Sequence, residues 1–315
     1  MAQQANQPLP DGHPLEEYVI ERQLSLGGFS IVYLATGPDG KQVAIKEYLP
    51  NSLALRSDGT VMPQVAPENQ AAFRYGMKCF FEEGRSLARL SHPNVIRVLN
   101  FFRANETVYM VMEYEHGRTL QEFIHKHRGN ISERFIRGVF TRLLNGLREV
   151  HAHKLLHLDL KPANIYLRSD NTPVLIDFGA ARQTLASEQP ILKPMYTPGY
   201  ASPEHYGSRK DLGPWSDVYS IGASMYACLA GGAPPAADER MKRDTLQPAM
   251  MRWEGQYSDR LLEIIDWCLN LNHLYRPQSV FALQKALVET AEPPSAPPQK
   301  GWVSRVVDKL WKPIL

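Results

Sequence analysis

Two short stretches carry side chains that could do chemistry together: "HLDLKPANIYL", His157 to Leu167, and "DFG", which begins at Asp177. Asp159, Asn164 five residues on, and Asp177 in a strand-turn setting offer oxygen ligands to a hard cation beside a carboxylate base. Phosphoryl transfer needs this combination, because charge on the moving group must be neutralised while an attacking hydroxyl is oriented. Further upstream, "VAIK" places Ala44 and Lys46 on one face of a strand by simple alternation.

The elements that must hold these residues fall into a strand-rich front and a helix-rich back. "YVIERQL", "SIVYLA" and "QVAIKEY", with "TGPDGK" as a turn, predict an antiparallel meander from Tyr18 onward. Residues 50–70, with three prolines, read as an inserted loop. Phe73, Met77, Phe80, Phe81, Leu87 and Leu90 recur at helical spacing ahead of "SHPN", and two more strands are expected near 95–102 and 107–114. After Gly117, "TLQEFIHKH", "SERFIRGVFTRLLNGLREVHAHK", "DVYSIGASMYACLA" and "RLLEIIDWCLNL" read as helices. The expectation is an α+β, bilobal fold, with lobes at 15–113 and 118–290, a junction at 113–117 and a ligand seam between them.

In their order and spacing these motifs resemble the protein kinase family over residues 15–290, and most closely the compact bacterial, eukaryotic-like (Hanks-type) serine/threonine kinases with "DFGAAR". The resemblance implies a small β-rich N-lobe with one key helix, a larger helical C-lobe, and transfer of the ATP γ-phosphate to protein hydroxyls, autophosphorylation included. It makes Asp159 the base, Lys161 a contact for the transferred phosphate, and Asn164 and Asp177 the ligands of magnesium or manganese. Lys46 would hold the α- and β-phosphates, paired with Glu83 by the family's register; Glu82 is the nearest rival. Met112 would line the back of the adenine pocket, with the backbones of Glu113 and Glu115 bonding the base.

Two departures stand out. In the frame G-x-G-x-x-G-x-V, which follows Leu24, the chain has Ser25, Gly27, Gly28, Ser30 and Val32, so serines replace the outer glycines. Serine tolerates positive φ less well, which predicts a stiffer or differently set nucleotide loop. Leu158 stands where active kinases often carry an arginine that pairs with an activation-segment phosphate, and leucine makes no such bond. Activity independent of phosphate docking is therefore expected, with Thr184 and Ser187 dispensable and Thr197 resembling a hydroxyl that positions substrate. Glu204, of "SPE", and Arg276, of "NHLYRP", match a buried ion pair, and Asp217 matches a brace of the catalytic loop. His157 is expected to pack or hydrogen-bond beneath that loop, while His151 and His153 show no metal-ligand spacing.

A formal charge of +2 and 22% charged residues give no footprint for coating nucleic acid. The three cysteines form no C-x-x-C pair, and no apolar run reaches the roughly 18 residues of a span, so a reducing cytoplasm is expected, with no signal peptide. Residues 1–14 read as a loose arm and 291–300, "AEPPSAPPQK", as a Pro-rich linker. In 301–315, Trp302, Val303, Val306, Val307 and Leu310 share a helical stripe that could meet an anionic membrane, a partner groove or its own lobe. Protein substrates, and an opposing metal-dependent phosphatase, are implied by the resemblance. A pseudokinase scaffold and a small-molecule kinase are the alternative readings.

Overall fold

A computed structural model describes residues 6–178 and 196–289. The front half is a six-stranded antiparallel sheet, ordered β1 (Pro14–Leu15), β2 (Tyr18–Leu26), β3 (Ser30–Thr36), β4 (Gln42–Tyr48), β8 (Thr107–Glu113) and β7 (Val98–Ala104). Direct pairing of Val32 with Lys46, Lys46 with Met110 and Ala44 with Met112 puts these residues on one face. Helix α1 (Gln70–Leu87) packs on that face through Phe73, Phe80, Glu83, Gly84 and Leu87. Phe81 departs from the expected core stripe: it is 39% exposed and meets Phe101 edge-on.

The opposite face of the sheet corrects two expectations. Residues 6–14 are no loose arm, since Asn6 and Leu9 are buried. Residues 50–70 are more than a loop, because β5 (Ala54–Leu55) and β6 (Gln64–Val65) pair as a hairpin. Both segments fold over Tyr33, Glu47 and Tyr109, which alternation turns away from the cleft. There the fully buried Arg56 grips Glu47 with two bonds, of 2.6 and 2.7 Å. The other guanidinium protons go to Gln7 O, Val61 O and the Tyr33 hydroxyl, and the Tyr33 and Tyr109 hydroxyls donate to Glu47. A buried ion pair is tolerated when its hydrogen bonds are this complete.

The back half is helical. Helix α2 (Leu120–Lys126) leads to α3 (Glu133–Ala152), which is capped by Ser132 and buries Ile136, Val139, Phe140, Leu143, Leu144, Leu147 and Val150, a stripe at three- and four-residue spacing. Helix α4 (Pro214–Ala230) is buried along nearly its whole length. Its Gly222 admits Cys268 so closely that a Cβ there would lie 2.4 Å from the cysteine's own. A small antiparallel sheet of β9 (Gly117–Thr119), β10 (Ile165–Arg168) and β11 (Pro173–Leu175) frames the loop that carries Asp159.

Candidate active site

The loop from His157 to Asn164 runs from the end of α3 into β10. Leu158 takes a left-handed backbone, φ 62°, which costs a non-glycine residue on the order of 1–2 kcal/mol. Asp217, buried in the first turn of α4, opposes that cost: its carboxylate accepts from the backbone N–H of His157 at 2.9 Å and of Leu158 at 2.8 Å. It also meets His151 Nε2 at 2.7 Å, a contact the sequence spacing did not reveal. Burial raises the Asp217 carboxyl, but His151 and the backbone donors outweigh it and leave the group below its ordinary range. His157 packs on Phe178 and bonds Ile176 O, beneath the loop as expected, and burial pushes its imidazole down.

Asp159 then emerges with its oxygens engaged on both sides. Lys161 Nζ lies 2.7 Å from Oδ2, the Thr197 hydroxyl donates to Oδ1 at 2.8 Å, and Lys161 also donates to Thr197 at 2.8 Å. The Asn164 amide nitrogen donates to Asp159 O and Oδ2, so its oxygen is the group left for a cation. Asp177, φ 60°, receives Lys46 Nζ at 2.5 Å on Oδ1. Burial raises this carboxyl too, yet the adjacent Lys46 charge holds it far below the usual carboxylate range. Of the two candidate glutamates on α1, Glu83 is buried and Glu82 exposed.

Among the nucleotide-side residues, Val32, Ala44 and Met112 form a half-buried apolar wall on the face that holds Lys46, and Leu24 sits at a bulge in β2. Gly27 N donates to Ser30 O, closing the hairpin, while Leu49 N and Asn51 N donate to Phe29 O and Gly28 O. None of Ser25, Gly27, Gly28 and Ser30 has a positive φ. The serines are therefore unstrained in this conformation, and what Gly28 contributes is open space, with nothing within 4 Å of a Cβ built there. The Glu113 N–H is committed to Arg97 O at 3.0 Å, which narrows the expected adenine contacts to the Glu113 carbonyl and the Glu115 backbone. The Glu115 carboxylate is gripped by Arg168 through two bonds.

Glu204 and Arg276 meet at 2.8 Å, and Arg276 also bonds Trp215 O, Asn270 O and Leu271 O. Thr184 and Ser187 lie outside the described residues, as do 290–315. Among the described residues no helix is long and apolar enough to cross a membrane, and no cluster of three or more His, Cys, Asp or Glu could hold a metal.

The protein kinase domain family matches residues 18–288. The chain belongs to the protein kinase family. A solved structure described as the PpkA-294 apo form superposes with a TM-score of 0.79 at 33% identity, covering 89% of this chain and 99% of that one. In sequence the chain is 32% identical to the serine/threonine-protein kinase Nek2 of Homo sapiens over 74% of its length, and 31% identical to serine/threonine-protein kinase B of Synechocystis over 72%. It spans 55% and 41% of those two relatives. The expected bilobal kinase fold and the resemblance to Hanks-type kinases are thus borne out, and protein kinases of this family use ATP and Mg²⁺ on protein substrates.

Proposed function

We propose that this chain is a serine/threonine protein kinase that transfers the γ-phosphate of ATP to hydroxyls of protein substrates, itself included, in bacterial signalling. The observation that carries this reading is the closed triangle of Asp159, Lys161 and Thr197, with bonds of 2.7, 2.8 and 2.8 Å. A hydroxyl arriving near Asp159 would find a carboxylate to accept its proton. Lys161 would meet the developing negative charge on the phosphoryl oxygens, and Thr197 would fix the orientation of both side chains.

Lys46 would engage the α- and β-phosphates, with buried Glu83 as its proposed partner. The apolar wall of Val32, Ala44 and Met112 would receive the adenine, under a loop formed by Leu24, Ser25, Gly27, Gly28 and Ser30. Asn164 and Asp177 offer two oxygen ligands, which fits a magnesium or manganese ion completed by phosphate oxygens and water. When bound, that ion would supply charge neutralisation at the phosphates. The assembly of Lys46, Asp159, Asn164 and Asp177 favours an active enzyme over a pseudokinase scaffold. An opposing metal-dependent phosphatase, and docking by residues 301–315 on an anionic membrane or a partner, belong to the same reading.

Acid hydrolysis of protein labelled from γ-³²P-ATP tests the substrate class. Phosphoserine and phosphothreonine are expected; label confined to phosphotyrosine would overturn it. Co-sedimentation with anionic vesicles, comparing the full chain with one ending at Glu292, tests the membrane part, and equal pelleting would remove it.

A further inference from the structure

The left-handed turn at Leu158 is held from two directions, and only one of them is the Asp217 brace. On the other side His205, just after Glu204, sets its Nε2 3.0 Å from the Leu158 carbonyl. A carbonyl can only accept, so Nε2 carries a proton, and in the neutral ring that burial favours Nδ1 is bare. Nδ1 lies 2.9 Å from the hydroxyl of the completely buried Ser202, and because a bare nitrogen can only accept, the hydroxyl donates to it. Tyr196 meets the ring edge-on at 6.0 Å, and Ser202 itself opens the short 3₁₀ turn Pro203–Tyr206.

Leu158, the residue whose left-handed turn aims Asp159, is thereby clamped on both sides. Its N–H side is fixed by Asp217 at 2.8 Å and its carbonyl side by His205 at 3.0 Å. Neither bond uses the Leu158 side chain, which is buried and apolar. An arginine at that position would couple the two segments through a phosphate. Here a neutral chain, from Ser202 through His205 to Leu158, joins the catalytic loop to the turn at 203–206 without one.

We infer that His205 is a positioning residue, a neutral hydrogen-bonded strut that registers the end of the substrate-side segment against the catalytic loop and so aims Asp159. It rests on the kinase reading above and adds a residue that none of the motifs contains. Its geometry makes two demands. The imidazole must stay in the Nε2–H form, and a donor reaching the same point must be able to replace it. Glutamine places an N–H at the position of Nε2, whereas alanine offers none.

Two readouts test this. The first is the imidazole ¹⁵N spectrum of the full chain at neutral pH, with the His205 signals assigned from their loss in His205→Gln. A protonated Nε2 with a bare Nδ1 is expected. A ring protonated at Nδ1, or averaging between tautomers, would overturn the strut even if the parent protein transferred no phosphate. The second is steady-state kinetics on the full chain. His205→Ala should lower kcat by about tenfold or more, with KM for ATP within about twofold, because the base is misaimed while the nucleotide side is untouched. His205→Gln should recover most of that loss. An alanine variant with parental kcat, or a glutamine variant no better than alanine at an unchanged melting temperature, would overturn the inference. A parent without phosphate transfer counts instead against the kinase reading, and the nitrogen spectrum still decides the strut.

Discussion

The two lobes each bury charge behind a proposed catalytic side chain, and they do so differently. Behind Lys46 stands the Glu47–Arg56 pair, sealed by Tyr33, Tyr109 and the backbone of residues 6–9, with neither side chain exposed. Behind Asp159 stands Asp217, which among the described residues has no guanidinium partner and spends its carboxylate on backbone N–H groups and His151. The first cluster ties residues 6–9 and the segment at Arg56 to β3, β4 and β8 through Tyr33, Glu47 and Tyr109. The second shapes one strained loop. Loss of the first should therefore appear mainly as lost stability, and loss of the second mainly as lost rate.

The sharpest way to break that contrast is Arg56→Met. It strands Glu47 in the interior, and a melting experiment should find the N-lobe weakened by about 3–5 kcal/mol. Replacing Glu47 with Leu at the same time removes the stranded charge, so the double variant should be more stable than the single. If the two were equally destabilised, the pair would not be acting as a unit.

A smaller effect is expected from Asn6→Ala. The Asn6 amide nitrogen donates to Asn51 Oδ1 at 2.7 Å and Ala54 O at 3.2 Å, and its oxygen accepts from Arg56 N at 2.5 Å. Leaving those buried groups without partners should cost about 1–3 kcal/mol. Because Asn51 N in turn donates to Gly28 O, KM for ATP should rise as well. An unchanged melting temperature would return residues 6–9 to the status of a loose arm.

The mildest expected effect separates the clusters by pH. His157 and His205 are both pushed down by burial. The unfolded chain therefore takes up protons first, near the ordinary imidazole value of about 6.5. Stability from these two groups is complete above that pH and is lost as pH falls through their lowered folded values. Among the described residues, no histidine lies among the side chains of the Glu47–Arg56 cluster. Hydrogen exchange should thus show the 157–164 loop losing protection on mild acidification before residues 54–56 do; the reverse order would contradict the assignment.

Much of the site was legible because its logic is local. "HLDLKPAN", "DFG" and "VAIK" carry their spacing in the sequence, and strand alternation alone put Ala44 and Lys46 on one face. The Glu204–Arg276 and Asp217 contacts followed from the resemblance rather than from pattern. The Glu47–Arg56 cluster was missed, although "VAIKEY" held a clue: alternation sets Glu47 on the face of Val43 and Ile45, where a charge demands a buried partner. The partner comes from a segment rich in prolines and polar residues, whose composition says loop. His205 gave no signal at all, since its role depends on a contact 47 residues away that no periodicity encodes.

The central claim is that Asp159, held between Lys161 and Thr197, drives phosphoryl transfer in this fold. Transfer of labelled γ-phosphate from Mg-ATP to the protein and to a basic acceptor, in the parent and in Asp159→Asn, tests it most directly. The account predicts label in the parent, and a loss of about 10²–10⁴-fold in a variant that melts at the parental temperature. Equal labelling of the two proteins would contradict it.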